Sequence, residues 1–182
     1  MTEVYDRQLD VGIDFGAATT RQALIRWIFE SKCDHAITLA TNARMPLKRA
    51  LERVRQWFYR MEKIIRKCRP ERLPTEARLL AFIVPEHVGT NVHFHLAVRL
   101  VDGRDVTAGD LETIYEIAER QWSILQPSGS FKIKTISDAN GWASYITKDH
   151  YVRGTTLVLS HDFHNSDRFT RWKSIRQNSG WV

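Results

Sequence analysis

Histidines separated by one residue, followed far downstream by a tyrosine and a lysine separated by two, are the residues of this chain whose types and spacing suit chemistry. His93 and His95 flank Phe94 within an apolar stretch, 91–100. That stretch reads as a strand, and side chains alternate along strands, so both imidazoles emerge on one face. Neighbours two apart on one face can converge on a single cation. Gly89 and Thr90 just before them form a tight turn, and folding a hairpin through that turn opposes Glu86 to His93. Opposed residues share a face, so the carboxylate joins the imidazoles. A loop of odd length would put His87 in that place instead. Two nitrogens and one oxygen suit Mn2+ or Mg2+ where the site stays open to substrate, and Zn2+ also accepts this set. The plain alternative is a pair of packed, hydrogen-bonded strand histidines.

Tyr145 and Lys148 lie three apart in the stretch 142–151, which reads as a short helix, and so share a helix face. A phenol is a weak nucleophile at its ordinary pKa of about 10, and a nearby ammonium and a polarised electrophile are what it needs. The same spacing also occurs where a tyrosine merely packs against a core.

The elements that must position these groups follow from periodicity. An amphipathic helix begins after Thr19 or Thr20 as N-cap, with Leu24, Trp27, Ile28 and Ser31 on its stripe. Residues 36–42 form a first strand. Pro46 opens a long helix with apolar positions at Leu47, Ala50, Leu51, Val54, Trp57, Phe58, Met61, Ile64 and Ile65, closed by Pro70 and Pro74. Strands follow at 77–87 and 91–100, then a helix at 110–125. Pro127 and Gly129 lead into a fourth strand at 131–137, and a last strand is expected at 155–160. The βαββαβ order is a split βαβ, ferredoxin-like or RRM-like α+β fold, with one antiparallel sheet and its helices on one face. The expected organisation is a flexible leader at 1–18, one domain at 19–160 and a basic, aromatic tail at 161–182. The tail mixes Phe169, Trp172 and Trp181 with Arg168, Arg171, Lys173 and Arg176, a combination that can stack and neutralise a single strand.

The chain has 182 residues, 27 Lys and Arg against 21 Asp and Glu, and a pI near 9.5. This ordinary globular balance sets aside collagen-like, disordered and coiled-coil classes. No apolar run approaches a membrane span, and two cysteines make no disulfide framework, so a reduced, cytoplasmic setting is expected. The charge is uneven. Residues 41–73 carry eleven basic and three acidic side chains, a surplus of +8 against +6 for the whole chain. Such asymmetry marks an electrostatic footprint for a polyanion, although a solvated helix face looks the same.

Read together in chain order, Ile37-Thr38-Leu39-Ala40-Thr41-Asn42, His93-Phe94-His95 and Tyr145-Ile146-Thr147-Lys148 resemble the motifs of the HUH endonucleases, in particular the single-tyrosine Rep class that initiates rolling-circle replication. The resemblance spans about residues 35–150. It implies a third metal ligand on the strand before the histidines, where hairpin parity puts Glu86. It further implies a divalent ion on Glu86, His93 and His95, Tyr145 as the nucleophile that forms a 5′-phosphotyrosine, and Lys148 as its helper. The implied substrate is single-stranded or hairpin DNA at an origin of a plasmid or phage in a bacterial host. Thr38, Asn42, Arg44, Lys48, Arg49 and Arg53 are the candidate DNA-binding residues. Ala40-Thr41 stands where family members often carry bulkier residues. Tyr151 would sit about 240° round the helix from Tyr145, which argues against a two-tyrosine cycle. No G-x-x-x-x-G-K-[ST] loop follows, so a host helicase and polymerase would be the partners, with no membrane. A transposase or relaxase of a mobile element using the same chemistry, and a non-catalytic nucleic-acid-binding module on the same scaffold, remain the alternatives.

Overall fold

The computed structural model describes residues 17–101, 107–148 and 157–164. Tyr151, the tail from 165 onward and most of the expected leader lie outside the described residues. The elements run α1 (Ala17–Glu30), β1 (His35–Arg44), α2 (Leu47–Ile65), β2 (Leu80–Glu86), β3 (Asn91–Arg99), α3 (Ala108–Leu125), β4 (Ser130–Thr135), α4 (Ala139–Ile146) and β5 (Val158–Leu159). The strands form one antiparallel sheet in the order β4-β1-β3-β2-β5. The expected α+β architecture is therefore present: the two βαβ halves interleave, and β1 and β3 occupy the centre.

Alternation sorts the sheet into two faces. Ile37 and Leu39 of β1, Ala81 and Ile83 of β2, and Val92, Phe94, Leu96 and Val98 of β3 meet α2 and α3 in the larger core. Trp57 and Trp122 are fully buried there, and each donates its indole N–H to a main-chain carbonyl, of Ala118 at 2.9 Å and Ala40 at 3.3 Å. Both crossover helices thus share one face, as the split βαβ pattern expects. The opposite face is not bare, however. Phe82, Val84 and Ala97 pack there against Ile25 and Ile28 of α1 and Ala143 and Ile146 of α4.

Several boundaries differ from expectation. α1 starts at Ala17, inside the expected leader, so Thr19 and Thr20 are helical rather than caps. Its buried positions are Ile25 and Ile28, while Trp27 is 46% exposed and meets Phe82 edge-on at 5.0 Å. α2 ends at Ile65, and Pro70 and Pro74 instead begin and precede short 3-10 turns. The β2–β3 connection has four residues, His87 to Thr90, rather than two, closed by the Thr90 N–H on the His87 carbonyl at 3.2 Å. Two extra residues leave the parity unchanged.

At the α3–β4 corner the chain comes so close to β1 that a Cβ on Gly129 would meet the Ala40 carbonyl oxygen at 2.7 Å. The Gln126 amide and Ser128 hydroxyl both donate to the Thr41 carbonyl, at 2.8 and 3.1 Å. This corner holds β1 at Ala40 and Thr41, two and three residues past Thr38.

Glu62 is fully buried on α2 and accepts the Leu79 N–H at 2.9 Å. Burial pushes its carboxyl up to about 7, against the pull of that N–H, Arg78 and Arg66. The folded pKa exceeds the unfolded one, so this group's contribution is intact below about pH 4.5 and is lost as pH rises through about 7. Glu62→Gln, which keeps the acceptor and cannot ionise, should raise the melting temperature above pH 7 and change it little at pH 5. A pH series of thermal melts on both proteins checks this.

Candidate active site

The face covered by α1 and α4 carries the candidate site residues. The β2–β3 register sets Glu86 opposite His93 and Val84 opposite His95, and the β1–β3 register sets Thr38 opposite His95 and Ala40 opposite His93. Period-two alternation then brings Glu86, His93, His95 and Thr38 onto one surface. His87, the open alternative to Glu86, leaves the strand with a positive φ of 55°. Its ring nevertheless reaches 5.2 Å from that of His93.

α4 supplies the remaining groups. Asp138 caps it, accepting the Gly141 N–H at 2.8 Å, and Ala143 and Ile146 anchor it to the sheet. The helix ends at Ile146, so Lys148 sits in the turn beyond it rather than on the helix itself. That turn is held by the Lys148 N–H on the Tyr145 carbonyl at 3.2 Å. Lys148 and Tyr145 still come together: Nζ lies 4.0 Å from the centre of the Tyr145 ring. Tyr145 is 43% exposed, so a substrate can reach its hydroxyl. Its ring stands edge-on to His95 at 5.4 Å and stacks on Trp142 at 5.3 Å and 20°.

His95 links the set. Its Nε2 lies 3.1 Å from Glu86 Oε2, and its Nδ1 lies 3.2 Å from Thr38 Oγ1. Either Nε2–H donates to Glu86 while Thr38 donates to Nδ1, or Nδ1–H donates to Thr38 and the Nε2 lone pair faces a carboxylate. The second order sets two acceptors face to face, which a proton or a cation shared between them would relieve. Lys148 Nζ is 3.2 Å from Glu86 Oε1, an ion pair outside hydrogen-bond geometry. Burial disfavours the Glu86 carboxylate, but His95 and Lys148 beside it hold its pKa below the usual range. Burial likewise opposes the Lys148 charge, and Glu86 and Tyr145 together hold its pKa above the ordinary lysine value. Burial lowers the pKa of His95, and burial with His87 lowers that of His93, which favours neutral, electron-donating imidazoles.

His93 Nε2 is buried without a hydrogen-bond partner, whereas Glu86 Oε1 is met by the Lys148 ammonium. A buried polar atom left open, like His93 Nε2, is costly unless something else meets it. The open ring nitrogen of His93, with the His95 imidazole and the Glu86 carboxylate on the same sheet face, makes the three a fitting donor set for a divalent cation. Among the described residues no three His, Cys, Asp or Glu side chains stand as an already gathered metal cluster.

The expected DNA-binding residues do not all join this site. Thr38 does, as the partner of His95. Asn42, with a φ of 47°, and Arg44 lie at the bulged end of β1 near the Glu86–His93 rim. Lys48, Arg49 and Arg53 ride on α2, on the opposite face of the sheet, because the apolar stripe of that helix packs into the larger core. The helical part of the basic segment therefore does not flank the tyrosine centre. Trp142 was not singled out from the sequence, although it precedes Tyr145 by one helical turn. Comparison of the chain with protein-family models, curated proteins and solved structures finds no match. No helix among the described residues is long and apolar enough to cross a membrane.

A cation on this donor set should stabilise the fold by mass action. Mn2+ should raise the melting temperature of the wild type and leave that of His93→Ala unmoved. Thr38→Val, which removes the partner of His95 Nδ1, should weaken Mn2+ binding by about 10- to 100-fold. Titration calorimetry or thermal shift reads both.

Proposed function

We propose that this chain is a single-tyrosine HUH-type nickase and strand transferase that acts on single-stranded or hairpin DNA and initiates rolling-circle replication. One observation carries the reading: three motifs spread over more than a hundred residues supply Thr38, the Glu86–His93–His95 set and the Tyr145–Lys148 pair to one sheet face. A fold alone would not support it, since this architecture hosts many unrelated functions.

Glu86, His93 and His95 would hold a divalent ion, Mn2+ or Mg2+, which when bound supplies Lewis acidity and a template for the scissile phosphate. The remaining work belongs to the chain. Tyr145, exposed at the rim, offers its oxygen to the phosphorus, and its proton passes to solvent. A Tyr–O–P bond forms as the bond from phosphorus to the 3′ oxygen breaks, and that oxygen takes a proton from water. The products are a 5′-phosphotyrosine and a free 3′-OH. Because one phosphodiester replaces another, the reverse attack by a 3′-OH can rejoin strands. Lys148 keeps its charge beside Tyr145 and Glu86 and can balance the anion gathered there. Thr38 holds the His95 ring in place.

Incubation with single-stranded, origin-like oligonucleotides and Mn2+ should yield an SDS-resistant protein–DNA adduct. Tyr145→Phe should abolish that adduct while leaving oligonucleotide binding within about twofold, and His93→Ala should lose metal-dependent cleavage. An adduct of unchanged yield in Tyr145→Phe would remove the tyrosine from its role. Binding without any adduct in the wild type would leave the non-catalytic module as the reading, and strand exchange specific to element ends would favour the transposase.

A further inference from the structure

α1 and α4 cover only the β2–β3 half of their sheet face. A groove of about 960 Å³ in all runs from His95 and Tyr145 over the β1–β4 half and wraps the β4 edge to α3 on the other side. Its floor is Ala36 and Thr38, and the β1–β4 register sets Lys134 opposite Ala36 and Lys132 opposite Thr38, so both ammonium groups belong to this face. Phe131 and Ile133 alternate with them and pack into the larger core on the other side.

We propose that this groove is a subsite for single-stranded nucleic acid, with Trp142 stacking one base and Lys132 and Lys134 neutralising successive phosphates. The inference rests on the nickase reading for the strand being DNA led to Tyr145. Trp142 is half-buried, donates its indole N–H to the Leu96 carbonyl at 3.2 Å and is stacked on Tyr145, so its plane is rigidly set. Tyr145 takes one face of the indole, so a base stacks on the other with the flexible Lys134 side chain giving way, and stacking requires the base to be unpaired. Lys134 Nζ hangs 5.7 Å from the centre of that indole, and among the described residues neither lysine is ion-paired. Two lysines on alternate residues of an extended strand are about 7 Å apart along it, a spacing of the order of one extended nucleotide. Charge also selects the path. Across the β4 edge the groove is bordered by Glu112, Glu116 and Glu119 of α3, which repel phosphates and confine the strand to the lysine side. The strand then enters along β4, passes Trp142 and reaches the tyrosine.

Fluorescence anisotropy of a labelled oligothymidine, read at several salt concentrations, tests the subsite separately from catalysis. Lys132→Gln with Lys134→Gln should weaken binding and flatten the salt dependence by about 0.7 in logarithmic slope for each lost phosphate contact. Trp142→Ala should weaken binding by at least about fivefold, and Trp142→Phe should retain most of it. Lys63→Gln with Arg72→Gln removes the same charge from α2 and the turn after it, away from the groove, and should leave the slope near that of the wild type. Unchanged binding in the β4 double variant, or an equal loss in the Lys63 and Arg72 variant, overturns the subsite. The adduct assay on the same proteins separates the two readings. Adduct formation together with groove-independent binding sinks the subsite alone. Groove-dependent binding without any adduct sinks the nickase and keeps the subsite.

Discussion

The register of β3 is the constraint on which the rest of the structure depends. β3 lies between β1 and β2, hydrogen-bonded on both edges, and is buried along almost its whole length. A slip of one residue would exchange its faces, turning Val92, Phe94, Leu96 and Val98 out of the larger core and the two histidines into it. That exchange would take four fully buried apolar side chains out of the larger core, each contributing up to roughly 1.5–3 kcal/mol by burial. Hydrophobic packing under α2 and α3 thus specifies, on the reverse of the same strand, where His93 and His95 stand. The core is the positioning device for the site.

Once β3 is held, its neighbours are aligned with it. Glu86 is the last residue of β2, and the four-residue turn after it has the parity that leaves Glu86 opposite His93. Thr38 is aligned from the other side by β1, whose far end is held by the close approach of Gly129 and by the Trp122, Gln126 and Ser128 hydrogen bonds. Tyr145 and Lys148 reach the site from outside the sheet. Their placement depends on how α4 docks through Ala143 and Ile146 onto the β2–β3 half. Stable residues thereby surround an exposed phenol, a combination that suits a group that must meet a large substrate.

Electrostatics divides between the two faces. The strongly basic α2 turns its charge to solvent on the side of the larger core, whereas the tyrosine face balances Lys148 against Glu86, and burial there lowers the pKa of both imidazoles. The net +6 of the chain is therefore a poor guide to the field at the site. The local cations there belong to Lys148 and, along the groove, to Lys132 and Lys134.

Much of this was legible in the residues alone, for identifiable reasons. Alternation has a period of two whatever the fold, so the shared face of His93 and His95 was determined by the sequence, and hairpin parity extended it to Glu86. Strand and helix order, and hence the split βαβ arrangement, followed from runs long enough to show a period. Lys132 and Lys134 carried the same signal, alternating with Phe131 and Ile133, but which way that face pointed was not contained in the strand. Tertiary structure decided that, along with the docking of α4 over the histidines, the stacking of Trp142 on Tyr145 and the placement of α2 on the far side. A helix's sequence specifies which stripe is buried but not against which face of the sheet. That choice is made by the handedness and length of the connections and by the apolar surface each face leaves to cover.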